Sequence, residues 1–130
     1  MSDTQMENDK LARFDNQKYL NLETYRKNGS AIQTPMWFAR AGEIIYLYTL
    51  ANAMKVKRIG NNPRVRIVPS NARGNPKGEW VEGRARIVDA AEAERGHMLL
   101  RQKYGWMKKI GDVFSRVRKR ERVVIAVSLD

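Results

Sequence analysis

The sequence predicts a mainly β domain: six antiparallel strands curled into a small barrel, with two helices in the C-terminal half. Three observations carry this. Apolar or alternating runs recur from Tyr19 to Val88, separated by turn-forming clusters such as Asn28-Gly29 and Ala41-Gly42-Glu43. Two segments with helical spacing follow between Asp89 and Val117. One apolar run, Val123 to Val127, then closes the chain. Five meander-like strands, two helices and a returning strand suit a barrel whose helices cover an open end or seam.

Residues 1–10 are polar and read as disordered, with Asp9 placed to cap a short helix carrying Leu11 and Phe14. The remainder, 11–130, reads as a single domain. Tyr19 to Tyr25 is the first strand. Asn28-Gly29 predicts a two-residue hairpin, because both residues tolerate positive φ. The second strand runs from Ser30 to Arg40 and the third from Ile44 to Leu50. Both carry apolar residues on both faces, so both faces are expected to be covered. Ala53 to Gly60 is a short helix. Arg64 to Pro69 is the fourth strand, Ser70 to Glu79 a Gly/Pro/Asn loop, and Trp80 to Val88 the fifth strand. Asp89 with Glu92 three residues later is a capping-box-like start. Ala93, His97, Leu100 and Tyr104 share one face of the helix that follows, and Gly105 can stop it. Trp106, Ile110, Val113 and Val117 form the stripe of a second helix. Arg122 to Ser128 is the last strand.

Composition narrows the chemistry. With no cysteine there is no disulfide, thiolate metal site or Cys nucleophile, and a reducing cytoplasm is the expected location. One histidine, His97, makes no metal cluster, and its helix-face neighbours mark it as a packed side chain. No apolar run reaches the roughly 20 residues of a membrane span, and no signal peptide is expected. The formal charge is +11. From Ala53 to Arg86 there are nine Lys/Arg against two acids, and from Arg101 to Arg122 again nine against two. Such a field attracts anions without choosing among them.

The densest signal is the segment from Leu47 to Val65. An apolar strand ends in Tyr48-Thr49, and a short connection leads to a helical turn with Lys55, Lys57 and Arg58. Helix-start amides beside cations make a phosphate site. The same three cations would also suit the solvated face of a short helix. Trp37 and Trp80 fit equally well as core residues.

Four blocks in order, Thr34-Pro35-Met36-Trp37-Phe38, Tyr48-Thr49 through Lys55-Val56-Lys57, Asn62-Pro63-Arg64-Val65 and Trp80-Val81-Glu82-Gly83-Arg84-Ala85, resemble the pyridoxamine 5'-phosphate oxidase-like, flavin-binding split barrels. The resemblance runs from about Tyr19 onward and is nearest to the F-420-dependent oxidoreductase subgroup. It implies a six-stranded split barrel, a homodimer with cofactor sites between subunits, and FMN or F-420 as cofactor. It implies that Gln33, Thr34, Pro35, Met36 and Trp37 lie along the isoalloxazine ring. It implies that Tyr48, Thr49, Lys55 and Lys57, with Arg58 in support, hold the phosphate, with Trp80 and Glu82 nearby.

One departure matters. The oxidase reads Ser-Arg-Lys where this chain has Ala53-Met54-Lys55. Two phosphate ligands are therefore missing, and the larger, more anionic F-420 is favoured over FMN. Ending at Asp130, the chain is also expected to lack the oxidase's C-terminal substrate segment, so pyridoxamine phosphate oxidation itself is not expected. The reading is a hydride-transferring oxidoreductase with a small organic substrate, its catalytic residues unassigned. The alternative is a non-enzymatic flavin carrier or a basic barrel that binds nucleic acid. No row of exposed aromatics for base stacking favours nucleic acid. The run Arg116 to Arg122, with five cations in seven residues, fits a solvated helix end.

Overall fold

In the computed structural model, residues 9–50, 53–105 and 122–129 are described. The elements are β1 (Tyr19–Tyr25), β2 (Ala31–Met36), β3 (Phe38–Ala41), β4 (Ile44–Leu50), α1 (Met54–Asn61), β5 (Arg64–Ser70), β6 (Val81–Ile87), α2 (Ala90–Tyr104) and β7 (Arg122–Leu129). Residues 9–12 are helical as well. The expected second helix after Gly105, the run Arg116 to Arg120, and most of the N-terminal tail lie outside the described residues. No helix among the described residues is long and apolar enough to cross a membrane.

All ladders are antiparallel, in the order β2-β1-β5-β6-β7-β4-β3. The two edge strands are consecutive in the chain, joined by Trp37 alone. The sheet therefore curls, bringing its two edge strands together at the Trp37 bend, with no ladder between them. The expected six strands become seven because the second, read as Ser30 to Arg40, breaks at Trp37. Its first half pairs with β1 (Met36 opposite Leu20) and its second half with β4 (Phe38 opposite Leu47). One strand cannot serve both partners without a bend.

The hairpin after β1 also differs from expectation. Gly29 alone has positive φ, +87°, and Arg26 N–H donates to Ser30 O at 2.9 Å. The loop thus has three residues, with a turn closed by Gly29 N–H on Arg26 O and a left-handed Gly. Asn28 contributes its side chain, which accepts from Ser30 N–H at 3.0 Å, and does not adopt positive φ.

Alternation sorts the strands into two faces. Leu20, Leu22, Phe38, Ile45, Leu47, Ile67, Val81, Ile125 and Val127 point inward and fill the barrel. Ile59 of α1 enters this core near the Thr24 end of β1. Leu11 and Phe14 plug the Leu20 end, with Phe14 edge-on to Phe38 at 5.9 Å. The short N-terminal helical segment is therefore a stopper held by burial of two large apolar side chains. Outside, α2 covers β3, β4 and β7. Tyr46, Val124 and Ala126 form one covered cluster, and Ala39, Leu100 and Tyr104 another. Asp89 caps α2 by accepting from Glu92 N–H at 2.9 Å. Gly83 is required where β6 meets β7, since a Cβ there would stand 2.6 Å from Ser128 O.

Candidate functional site

α1 begins without a side-chain cap. Its N-cap is Ala53, which has no side-chain oxygen to offer; its carbonyl accepts from Val56 N–H at 3.0 Å, and Met54 stands 62% exposed. The amides of Met54 and Lys55 keep their hydrogen-bonding capacity for another acceptor. Three cations gather along the helix: Lys55 in its first turn, Arg58 in its last, and Arg26 close to Arg58. Arg58 Nε donates to Thr24 Oγ1 at 2.7 Å, which swings the guanidinium toward β1. Burial lowers the Arg58 pKa, and Arg26 lowers it further. Burial likewise lowers the Lys55 pKa, with Arg58 adding repulsion. Among the described residues no carboxylate pairs with Lys55 or Arg58. A chain of like charges that begins in the turn with the two unused amides is poised for an anion.

Lys55 and Arg58 are three apart and share a helix face. Lys57 lies between them in sequence, is exposed, and points elsewhere. The structure thus joins Lys55 with Arg58 and adds Arg26 and Thr24, which the sequence did not single out. A hairpin mouth and a helix must be placed in space before Arg26 can be seen to face Arg58.

The strip from Gln33 to Trp37 lies on edge strand β2, whose outer backbone groups are outside the ladder with β1. Individual side chains go different ways. Met36 is buried in the barrel core, so only its backbone is presented to a ligand. Thr34 faces inward opposite Leu22, while Gln33 and Pro35 face outward. Trp37 stacks on Tyr104 at 5.2 Å and 23°. Tyr104 is itself fixed. Its hydroxyl donates to Lys18 O at 2.7 Å and accepts from Phe38 N–H at 3.1 Å.

Gln33 is anchored by a buried acid. Its Nε2 donates to Glu23 Oε2 at 2.8 Å. Glu23 also takes both arms of Arg66 (2.7 and 3.0 Å) and the Tyr25 hydroxyl at 2.8 Å. The Arg66 guanidinium lies 5.1 Å from the Trp80 ring centroid. Gln33, Glu23 and Arg66 are directly opposite one another across β2, β1 and β5. Arg66 is therefore committed to Glu23, and Trp80 is committed to Arg66. The Arg66 hydrogen bonds hold the Glu23 pKa at about 2, against an ordinary 4.5, outweighing burial.

Tyr48 and Thr49 end β4, on its outer and inner sides respectively. Tyr48 is half-buried under α2, its ring edge-on to His97 at 4.7 Å. His97 is buried, as its helix-face neighbours predicted. Among the described residues there is no group of three His, Cys, Asp or Glu side chains able to hold a metal. Two clefts open elsewhere. One of about 490 Å³ is bounded by 14–18, Phe38, Arg40, Lys103 and Tyr104. The other, about 560 Å³, includes Trp80 and Glu82 with Lys10 and Arg13. Neither is walled by Lys55, Arg58, Tyr48 or Thr49.

The family model described as pyridoxamine 5'-phosphate oxidase matches residues 8–130. Among solved structures, the chain is similar to an F420 reductase (22% identity, 92% of each chain covered, TM-score 0.61). It is also similar to the heme storage protein of Vibrio cholerae (16% identity, 95% of this chain and 89% of that one, TM-score 0.66). A third relative is general stress protein 26 of Bacillus anthracis (19% identity, 96% and 89%, TM-score 0.64). At these identities the likeness shows the fold. No curated protein matches the chain.

Proposed function

The chain belongs to the pyridoxamine 5'-phosphate oxidase family, and from that premise we propose that it is an oxidoreductase that moves a hydride between a bound flavin-type cofactor, F-420 ahead of FMN, and a small organic substrate. The observation that carries the reading is the succession of Lys55, at the start of α1 where no side chain caps the helix, Arg58 in its last turn, and Arg26 beside Arg58. The residues fit the anionic part of such a cofactor: the α1 amides and Lys55 would take a phosphate oxygen each, and Arg58 would neutralise the remaining charge. The edge of β2 offers free backbone groups to a flat heterocycle, and Trp37, fixed on Tyr104, closes one side. The cofactor supplies the hydride chemistry, and the protein supplies binding and orientation.

F-420 is favoured because the position of the missing Ser-Arg pair is filled by a residue without a polar side chain and an exposed Met. A compact phosphomonoester needs a tight fork of ligands, whereas a phosphodiester with an anionic tail is served by spread cations. Side-by-side titration with F-420 and FMN tests this. F-420 affinity is expected to be higher and to fall more steeply between 50 and 500 mM salt, values chosen to span about 14 to 4 Å of Debye length. Tight FMN binding with no F-420 binding at low salt would reverse the choice. Cofactor binding without turnover by any reductant would instead mark a carrier.

Met54, at the start of α1, is exposed, and a second protomer packed there would wall the anion site. We therefore propose a C2 homodimer. The outward apolar residues of β4 do not support this, because α2 covers them. Light scattering should give about twice the 15.0 kDa chain mass. A stable monomer at micromolar concentration would refute both the dimer and an interface site.

A further inference from the structure

The 560 Å³ cleft lies between the short N-terminal helical segment and the residues that open β6. Lys10 and Arg13, three apart and so on one side of that segment, supply its cations. Glu79 and Glu82, flanking Trp80 and Val81, supply its carboxylates. All four charged residues are exposed, and among the described residues none of them is ion-paired. Arg13 Nε donates to Lys10 O at 3.4 Å, which leaves its terminal nitrogens for another acceptor. A Cβ built at Gly78 would stand 3.7 Å from Arg13 Nη1, so the guanidinium reaches the residue before Glu79 without pairing with that acid. Trp80 and the buried Val81 supply the apolar surface. The indole is held in place: Arg66, gripped by both oxygens of Glu23, lies 5.1 Å from its ring centroid. Arg66 does not line the cleft, so the ring is braced from outside it. The cleft shares no residue with the α1 anion site.

We propose that this cleft binds a small zwitterion, a flat ring with an anionic group at one end and a cationic group at the other. The balance of charge selects it. In a chain of formal charge +11 a simple anion is attracted to many places, but here it meets two carboxylates as well as two cations. A simple cation meets Lys10 and Arg13. A molecule that sets its carboxylate against the N-terminal segment and its ammonium against the β6 side satisfies both pairs at once. Closing the four side chains on one another gains little by comparison, because an exposed ion pair costs the freedom of two long side chains. A rigid ligand carries its two charges already placed, which lowers that cost. The braced Trp80 ring offers a stacking surface for the flat body and attracts the cationic end. The volume lies within the range of small-molecule sites.

The test is calorimetric titration of the intact protein with 4-(aminomethyl)benzoate and with its two singly charged relatives, 4-methylbenzoate and 4-methylbenzylamine. The zwitterion should bind about tenfold more tightly than either relative, the effect of one added charge-assisted hydrogen bond. Glu79→Gln combined with Glu82→Gln should abolish its advantage over 4-methylbenzoate. Lys10→Gln combined with Arg13→Gln should abolish its advantage over 4-methylbenzylamine. Trp80→Leu should weaken the binding of all three. A zwitterion that binds no more tightly than either relative, or not at all, overturns the proposal without needing any variant. An advantage that survives both double substitutions places the binding elsewhere and overturns the cleft as its site. Neither result depends on which cofactor the protein binds.

Discussion

Glu23→Gln should lower the stability of the folded protein by about 3 kcal/mol at pH 7, measured by urea denaturation. The carboxylate is 2% exposed and receives four hydrogen bonds, two from Arg66 and one each from Gln33 and Tyr25. It is held at about 2 against 4.5 when free. At about 1.4 kcal/mol per pH unit, that gap corresponds to about 3 kcal/mol. The sign follows from the lowered pKa. The contribution is present in full above pH 4.5 and is lost as the pH falls toward 2. The amide removes it, because an amide cannot accept from both arms of Arg66 and its NH2 would face a donor. The gap between wild type and variant should therefore shrink to about half at pH 3. Glu92, also held at about 2, by Arg86 and Tyr46, titrates in the same range in both proteins and cancels in the difference. A gap that stays constant from pH 7 to pH 3 would show that packing, not ionisation, sets the cost.

The row Gln33–Glu23–Arg66 shows where sequence reading stops. The alternation of β1 displays an acid among apolar neighbours, but its partners are fixed by the register of two separate ladders, and register is a tertiary fact. The curled antiparallel sheet was legible, since turn clusters and alternating runs mark strands locally. The break at Trp37 was not, because a residue bridging two pairing partners carries no local signal. The Asn28-Gly29 turn was placed correctly and its loop length was not, since Asn tolerates positive φ without requiring it. In α1 the helical spacing of Lys55 and Arg58 was visible, yet nothing local says which face of an eight-residue helix meets the barrel. Ile59 decides it: once buried, it turns Lys55 and Arg58 toward β1 and leaves Lys57 outward. Arg66 is one cation of the basic field, and it is drawn to a buried acid on the neighbouring strand, where one strong pair outweighs a diffuse field.

That geometry sets a second large effect. Lys55→Ala and Arg58→Ala should each weaken cofactor binding by about 1–3 kcal/mol, or roughly 10- to 100-fold, the usual loss for a charge-assisted hydrogen bond. Lys57→Ala should cost less than about 0.5 kcal/mol, the range of an exposed charge. Thr24→Val is the finer probe. It keeps every cation but removes the 2.7 Å tether on Arg58 Nε, so binding should fall by less than in Arg58→Ala. The cofactor-free protein offers an independent check. Burial depresses both Lys55 and Arg58, and a neighbouring guanidinium adds repulsion to each (Arg58 on Lys55, Arg26 on Arg58), so the empty site carries repulsion that a ligand relieves. Lys55→Met keeps the apolar stem and removes the charge. It should raise the melting temperature of the cofactor-free protein while lowering cofactor affinity, the trade expected where a site is built for its ligand and not for stability. A Lys55→Met protein that loses both stability and affinity would mean that Lys55 is structural. If Lys55→Ala, Lys57→Ala and Arg58→Ala all had small, equal effects that vanish together in salt, the cations would be acting as a field, and the α1 site would not be a site.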